Sequence, residues 1–162
     1  MRKKKLYIET SIINFITEED SPIERQLTID MLKYLIEKKD EFDLYVSELV
    51  IQEIYRADPK RRSKLLESFS QYQFNLLERT EDTDSLGKKY IEEKLFSEKK
   101  TDDAYHAAIA SVYFMDVIIS WNFKHIVKLK TIQGVPAVNR LFGYNDITIC
   151  SPKEVLGDVE GE

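Results

Sequence analysis

Short apolar runs alternate with helical patterns along the whole chain, and this alternation limits the fold more than any other feature. The runs are Lys5 to Ile8, Phe42 to Val46, Phe74 to Leu77, Val117 to Ser120 and Ile147 to Ile149, which read as short buried strands. Between the first two, Ile23, Leu27, Met31, Leu32, Leu35 and Ile36 recur at helical spacing, with Ser21 as cap and Pro22 in the first turn. Thr10 or Ser11 can cap a shorter helical turn through Phe15, and Thr17 to Pro22 reads as a loop. Ser47 can cap a helix that carries Leu49, Val50, Ile54 and Tyr55 and ends near Asp58 and Pro59. Further helices fit Arg61 to Tyr72, Asp82 to Phe96 and Ala104 to Phe114, with a short one around Ala137 to Phe142. No repeat or low-complexity linker interrupts the series. The pattern predicts a three-layer α/β domain with a mostly parallel sheet over residues 1–152, and an acidic tail over 153–162.

A chain of 162 residues suits a single core. No window is apolar enough to span a bilayer, so no membrane partner is expected. The start, MRKKKLYIE, is basic like a signal peptide, but its apolar stretch stops at Glu9 and leaves no secretory core. One cysteine, Cys150, forms no internal disulfide, which places the expected home in a reducing cytoplasm. The net charge of −5 argues against nonspecific coating of nucleic acid. Basic residues cluster at Lys3 to Lys5, Lys60 to Arg62, and Lys124 with Lys128 and Lys130; each cluster reads first as a solvated face.

Four polar residues stand where an apolar run gives way to a helix: Glu9, Glu53, Asp103 and Asn122. In a parallel sheet such junctions share the carboxyl edge, where ligands bind. Three carboxylates and an amide meeting there form an oxygen-rich pocket suited to Mg²⁺ or Mn²⁺. Glu48 rivals Glu53, but lies in a first helical turn where it complements the macrodipole. Asp103 aligns with His106, Ala107 and Ala110 on the side nearest the sheet, whereas Asp102 reads as a cap or as solvent-facing. His106 and His125 read as packing or hydrogen-bonding residues, and one cysteine with two unlinked histidines makes no zinc cluster. Trp121 and the tyrosines read as core. With five glycines in all, no dinucleotide fingerprint, P-loop or nucleophile elbow is present.

The segments YIETSIINF, SELVIQEI, DDAYHAAIA, DVIISWNFKHI and VNRLFGYNDITICSPKEV, in that order, resemble PIN-domain proteins, in particular VapC-like toxin ribonucleases of prokaryotic toxin–antitoxin pairs. The resemblance implies a five-stranded sheet in the order 3-2-1-4-5, flanked by helices. It also implies Mg²⁺- or Mn²⁺-dependent endonucleolytic cleavage of RNA, a homodimer and an antitoxin partner. The family's acids fall on Glu9, Glu53 and Asp103 as metal ligands, with Asn122 at the fourth position. Thr10, Ser11 and Ser120 match supporting polar positions, and Lys124 stands near enough in sequence to guide the RNA backbone. Two departures stand out. Glu9 replaces an aspartate and extends its reach by about one C–C bond, ~1.5 Å. Asn122 removes a charge.

These departures keep a second reading open, a PIN-fold binding module with impaired catalysis that acts through a protein or RNA partner. A phosphoacceptor receiver domain shares the α/β pattern, but needs an acid pair after strand one, which this chain lacks.

Overall fold

The structure, a computed structural model, describes residues 2–160. Five parallel strands form one sheet: β1 (Lys4–Ile8), β2 (Phe42–Ser47), β3 (Asn75–Leu77), β4 (Val117–Ile119) and β5 (Thr148–Cys150), in the order β3-β2-β1-β4-β5. Eight helices among the described residues connect and cover them: α1 (Thr10–Ile16), α2 (Pro22–Glu37), α3 (Glu48–Arg56), α4 (Pro59–Ser70), α5 (Glu81–Glu92), α6 (Thr101–Val112), α7 (Leu129–Leu141) and α8 (Pro152–Glu160). Helices α1 to α4 pack against one another, with α8 against α2, and α5 packs against α6 and α7, as right-handed crossovers to the two faces of such a sheet require. The expected three-layer α/β architecture and strand order are therefore those observed.

The strands are short because both faces are covered, so each needs only a few fully apolar residues. Tyr7, Ile8, Ile118 and Ile119 are buried at the centre, where β1 pairs with β4 in the register Tyr7 to Ile118 and Ile8 to Ile119. The chain leaves β1 in one direction for β2 and returns on its other side as β4. That makes the β1/β4 boundary the switch point of the sheet, and the crevice beyond its carboxyl end is where such folds bind ligands.

Several boundaries differ from the sequence-based expectation for identifiable reasons. The helix expected over Asp82 to Phe96 ends at Glu92, because Lys94 turns left-handed (φ 60°) and the Leu95 amide closes back on the Tyr90 carbonyl at 3.0 Å. The same reversal at Phe114 (φ 56°) closes α6 after Val112, with the Met115 amide on the Ala110 carbonyl at 2.9 Å. Gly143 (φ 82°) ends α7 likewise, at no steric cost to a residue without Cβ. The helix expected to start at Ala137 is one turn of a longer helix, α7, which holds Pro136 inside it. An interior proline costs about 3 kcal/mol; burial of Thr131, Val135, Val138 and Asn139 offsets it. Of the segment expected to be an acidic tail, residues up to Glu160 belong to α8, whose Val155 and Leu156 pack against the core. Residues 161 and 162 lie outside the described residues.

Helix caps also differ. Glu9, rather than Thr10 or Ser11, caps α1, its carboxylate accepting the Ser11 amide at 3.2 Å. Ser47 stands at the cap position of α3, but its hydroxyl bonds the buried Tyr7 hydroxyl at 2.8 Å. Lys100 precedes α6, and Asp102 is paired with Arg56 rather than capping.

Tyr7 ties three elements together, since its hydroxyl also meets His106 Nδ1 of α6 at 2.6 Å. Replacing it with phenylalanine keeps the ring but leaves a buried hydroxyl and a buried imidazole nitrogen without that partner. Tyr7→Phe is expected to destabilise the fold by roughly 1–3 kcal/mol. Chemical denaturation checks this, with a lowered midpoint and an unchanged slope as the expected result.

Candidate functional site

Glu9 follows β1 directly and is 4% exposed, a position no carboxylate occupies without donors. Its Oε1 accepts hydrogen bonds from Ser11 Oγ (2.6 Å) and Ser120 Oγ (2.5 Å). Each hydroxyl in turn accepts a backbone amide, Trp121 N at Ser11 (2.8 Å) and Asn122 N at Ser120 (2.9 Å). Two amides just beyond β4 are thus relayed through hydroxyls onto one carboxylate oxygen. Such chains polarise each bond and strengthen the next.

Glu53 reaches the same crevice from α3. Its Oε1 accepts Thr10 Oγ1 at 2.8 Å and is hydrogen-bonded to His106 Nε2. Glu48 turns elsewhere, its Oε2 accepting the Arg79 amide at 3.0 Å. His106 is fully enclosed on α6, with Nε2 3.4 Å from Thr10 Oγ1 and 3.9 Å from Glu9 Oε2. One turn earlier, Asp103 accepts Asn122 Nδ2 at 3.3 Å, while Asn122 Oδ1 accepts the His125 amide at 2.9 Å.

Among the described residues, Glu9, Glu53 and His106 form a group whose ligand atoms lie within 4.8 Å of one another. Asp103 lies outside that tight group but is coupled to it by charge. The four residues singled out from the sequence thus surround one crevice, and His106, read from the sequence as a packing or hydrogen-bonding residue, lies among them. The available signal was its spacing of three from Asp103 on one helical face.

The electrostatics reflect the crowding. Burial pushes the Asp103 carboxyl up to about 6, the charge of Glu9 adds to this, and Glu53 and Asp102 contribute further against a lowering by His106. Burial opposes charge on both Glu53 and His106, yet their mutual hydrogen bond and attraction win. The carboxyl of Glu53 is lowered and the imidazole of His106 raised. Burial lifts the Tyr7 hydroxyl well above the ordinary phenol range.

The crevice opens through a cleft of about 500 Å³ whose lining includes Glu53, Asp103 and Asn122. Lys99, Lys100 and Arg56, the last paired with Asp102, also line it together with His125, giving the acidic centre a partly cationic rim. Lys124 is not in that lining; it stands beside His125, whose imidazole is lowered by burial and then by Lys124, Lys128 and Lys100. Lys99 and Lys100 escaped the sequence reading because the stretch SEKK looks like any solvated run. Trp121 is core, as expected, its Nε1 donating to Thr28 Oγ1 at 2.7 Å.

No helix among the described residues is long and apolar enough to cross a membrane. No family model matches the chain, and no curated protein matches it. Solved structures do. A chain of VapBC2 from Rickettsia felis, bound to a DNA fragment from the promoter, superposes with a TM-score of 0.54 at 10% identity. The match covers 91% of this chain and 98% of that one. A chain of VapBC-5 from Mycobacterium tuberculosis, a member of the VapBC family of toxin–antitoxin systems, superposes at 0.50 with 13% identity and the same coverage. At such identities the likeness is one of fold, and the fold shared is the PIN-like five-stranded α/β domain with sheet order 3-2-1-4-5.

Proposed function

We propose that the chain is a metal-dependent endoribonuclease that hydrolyses RNA phosphodiester bonds, acting as the toxin of a toxin–antitoxin pair. The observation that carries this reading is the set of carboxylates gathered at the sheet's switch point and enclosed by hydroxyl donors. Likeness to toxin–antitoxin structures supports the same reading and favours a small antitoxin protein as partner. A homodimer, an RNA substrate and a cytoplasmic setting are part of the proposal.

The donor set fits a divalent cation. Glu9, Glu53 and Asp103 bring up to three negative charges into a crevice where Asp103 is already reluctant to ionise, and hard oxygen donors suit Mg²⁺ or Mn²⁺. Those three residues would hold the ion, with Asn122 beside them. A bound cation supplies a lowered pKa for the attacking water and neutralises charge building on the phosphate. Ser11, Ser120 and Thr10 keep Glu9 and Glu53 oriented toward the crevice. Asn122 holds Asp103 from one side while anchoring the loop at His125. Lys99, Lys100 and Arg56 on the rim, with Lys124 nearby, attract the backbone of a single strand toward the acidic floor.

Cleavage of a mixed-sequence single-stranded RNA by the purified chain tests the proposal directly. Activity that needs Mn²⁺ or Mg²⁺ and falls roughly 100-fold or more in Asp103→Asn is the expected outcome, since even partners behind a metal ligand cost 10–100-fold. No cleavage by folded, antitoxin-free wild type at any metal concentration returns the chain to the binding-module reading.

A second outcome concerns stability without metal. Asp103 ionises near 3.8 in the unfolded chain and about 6 in the fold. Below pH 4 it is protonated in both states and contributes nothing. Between pH 4 and 6 the unfolded chain ionises first, so stability is lost as pH rises, and the full penalty stands above pH 6. Allowing for partial exposure, this amounts to about 1–2 kcal/mol. Asp103→Asn is therefore expected to raise the melting temperature of the metal-free protein at pH 8 and to lose that advantage at pH 4. Saturating Mn²⁺ erases the advantage at pH 8, because wild type then binds the ion more tightly.

A further inference from the structure

We infer that the metal site proposed above is a mixed nitrogen–oxygen site, in which His106 Nε2 is a direct ligand beside the carboxylates and biases the site toward Mn²⁺ over Mg²⁺. This rests on the metal-site reading and adds a donor to it that an all-carboxylate cluster does not have.

Placement is the first argument. His106 Nε2 and one carboxylate oxygen each of Glu9 and Glu53 lie within 4.8 Å of one another, close enough for one ion to touch all three after small side-chain rotations. The ring comes from α6, whereas Glu9 follows β1 and Glu53 lies on α3, so the three donors converge from three separate elements.

The far side of the ring is the second argument. A ligating histidine fixes its orientation by donating the other ring N–H to an oxygen. His106 Nδ1 lies 2.6 Å from Tyr7 Oη, which lies 2.8 Å from Ser47 Oγ. Tyr7 can accept the Nδ1 proton while donating its own to Ser47. That tautomer turns the Nε2 lone pair toward Glu53 and Glu9. Tyr7 is wholly buried in β1, so the ring it holds is anchored to the centre of the sheet.

Charge balance is the third. A lone pair facing two carboxylates is tolerable only with something positive between them. A divalent ion held there would supply that charge. An imidazole nitrogen is a poorer partner for Mg²⁺, which prefers oxygen and water, than for Mn²⁺ and later first-row ions.

Pulsed electron paramagnetic resonance of the Mn²⁺-loaded protein reads the ligand itself, independently of any RNA cleavage. The expected spectrum carries a directly bound ¹⁴N coupling that changes to ¹⁵N when histidine alone is labelled. The chain has only two histidines, so persistence of the coupling in His125→Gln assigns it to His106 even if His106→Gln does not fold. Where His106→Gln folds, the coupling is lost, and the Mg²⁺ excess needed to displace half the Mn²⁺ falls roughly tenfold or more. Bound Mn²⁺ without histidine nitrogen coupling overturns this inference and leaves the carboxylate site standing. Coupling that disappears in His125→Gln also overturns it. Absence of Mn²⁺ binding by the folded wild type overturns both readings.

Discussion

A carboxylate at the end of a central strand has to be solvated by the protein, and the rest of the site follows from how Glu9 is. Its side chain is nearly out of reach of water, so its oxygens take hydroxyls from Ser11 and Ser120 and the Ser11 amide. That requirement ties α1 to the segment after β4, because Ser120 and the amides of Trp121 and Asn122 arrive only when β4 lies beside β1. The functional crevice and the central strand pairing are therefore one construction. Disturbing the register of β1 against β4 would leave a buried charge without its donors, which costs several kcal/mol and disfavours alternative pairings.

Much of this was legible in the sequence because chemistry interrupts pattern there. Glu9 stops an apolar run, Asp103 opens a nearly all-apolar helix, and Asn122 follows a strand by two residues; each breaks the local rule in a way burial alone does not demand. The alternation of runs and helices likewise predicted the layers. What escaped notice depends on direction and long-range contact. Tyr7 sits in an apolar strand and reads as core, which it is, yet its hydroxyl is the hinge between Ser47 and His106. His106 looks like a lone packing residue until Glu53, 53 positions away, is placed against it. The helix end before Lys94 was missed because a non-glycine residue rarely adopts φ near 60°, so nothing in its identity marks a stop. Pro136 lies inside α7, where tertiary burial on both flanks overrides its local preference.

The two departures from the pattern that the sequence resembles, at Glu9 and Asn122, acquire a physical sense in this setting. The extra methylene of Glu9 lets one side chain cap α1 and still present carboxylate oxygens to Ser120 and to the His106 side of the crevice. Asn122 occupies a position that must both face Asp103 and receive the His125 amide. An aspartate there could receive the amide, but it would set a second negative charge against Asp103, whose carboxyl is already pushed up to about 6. The asparagine amide answers both neighbours, donating to one and accepting from the other.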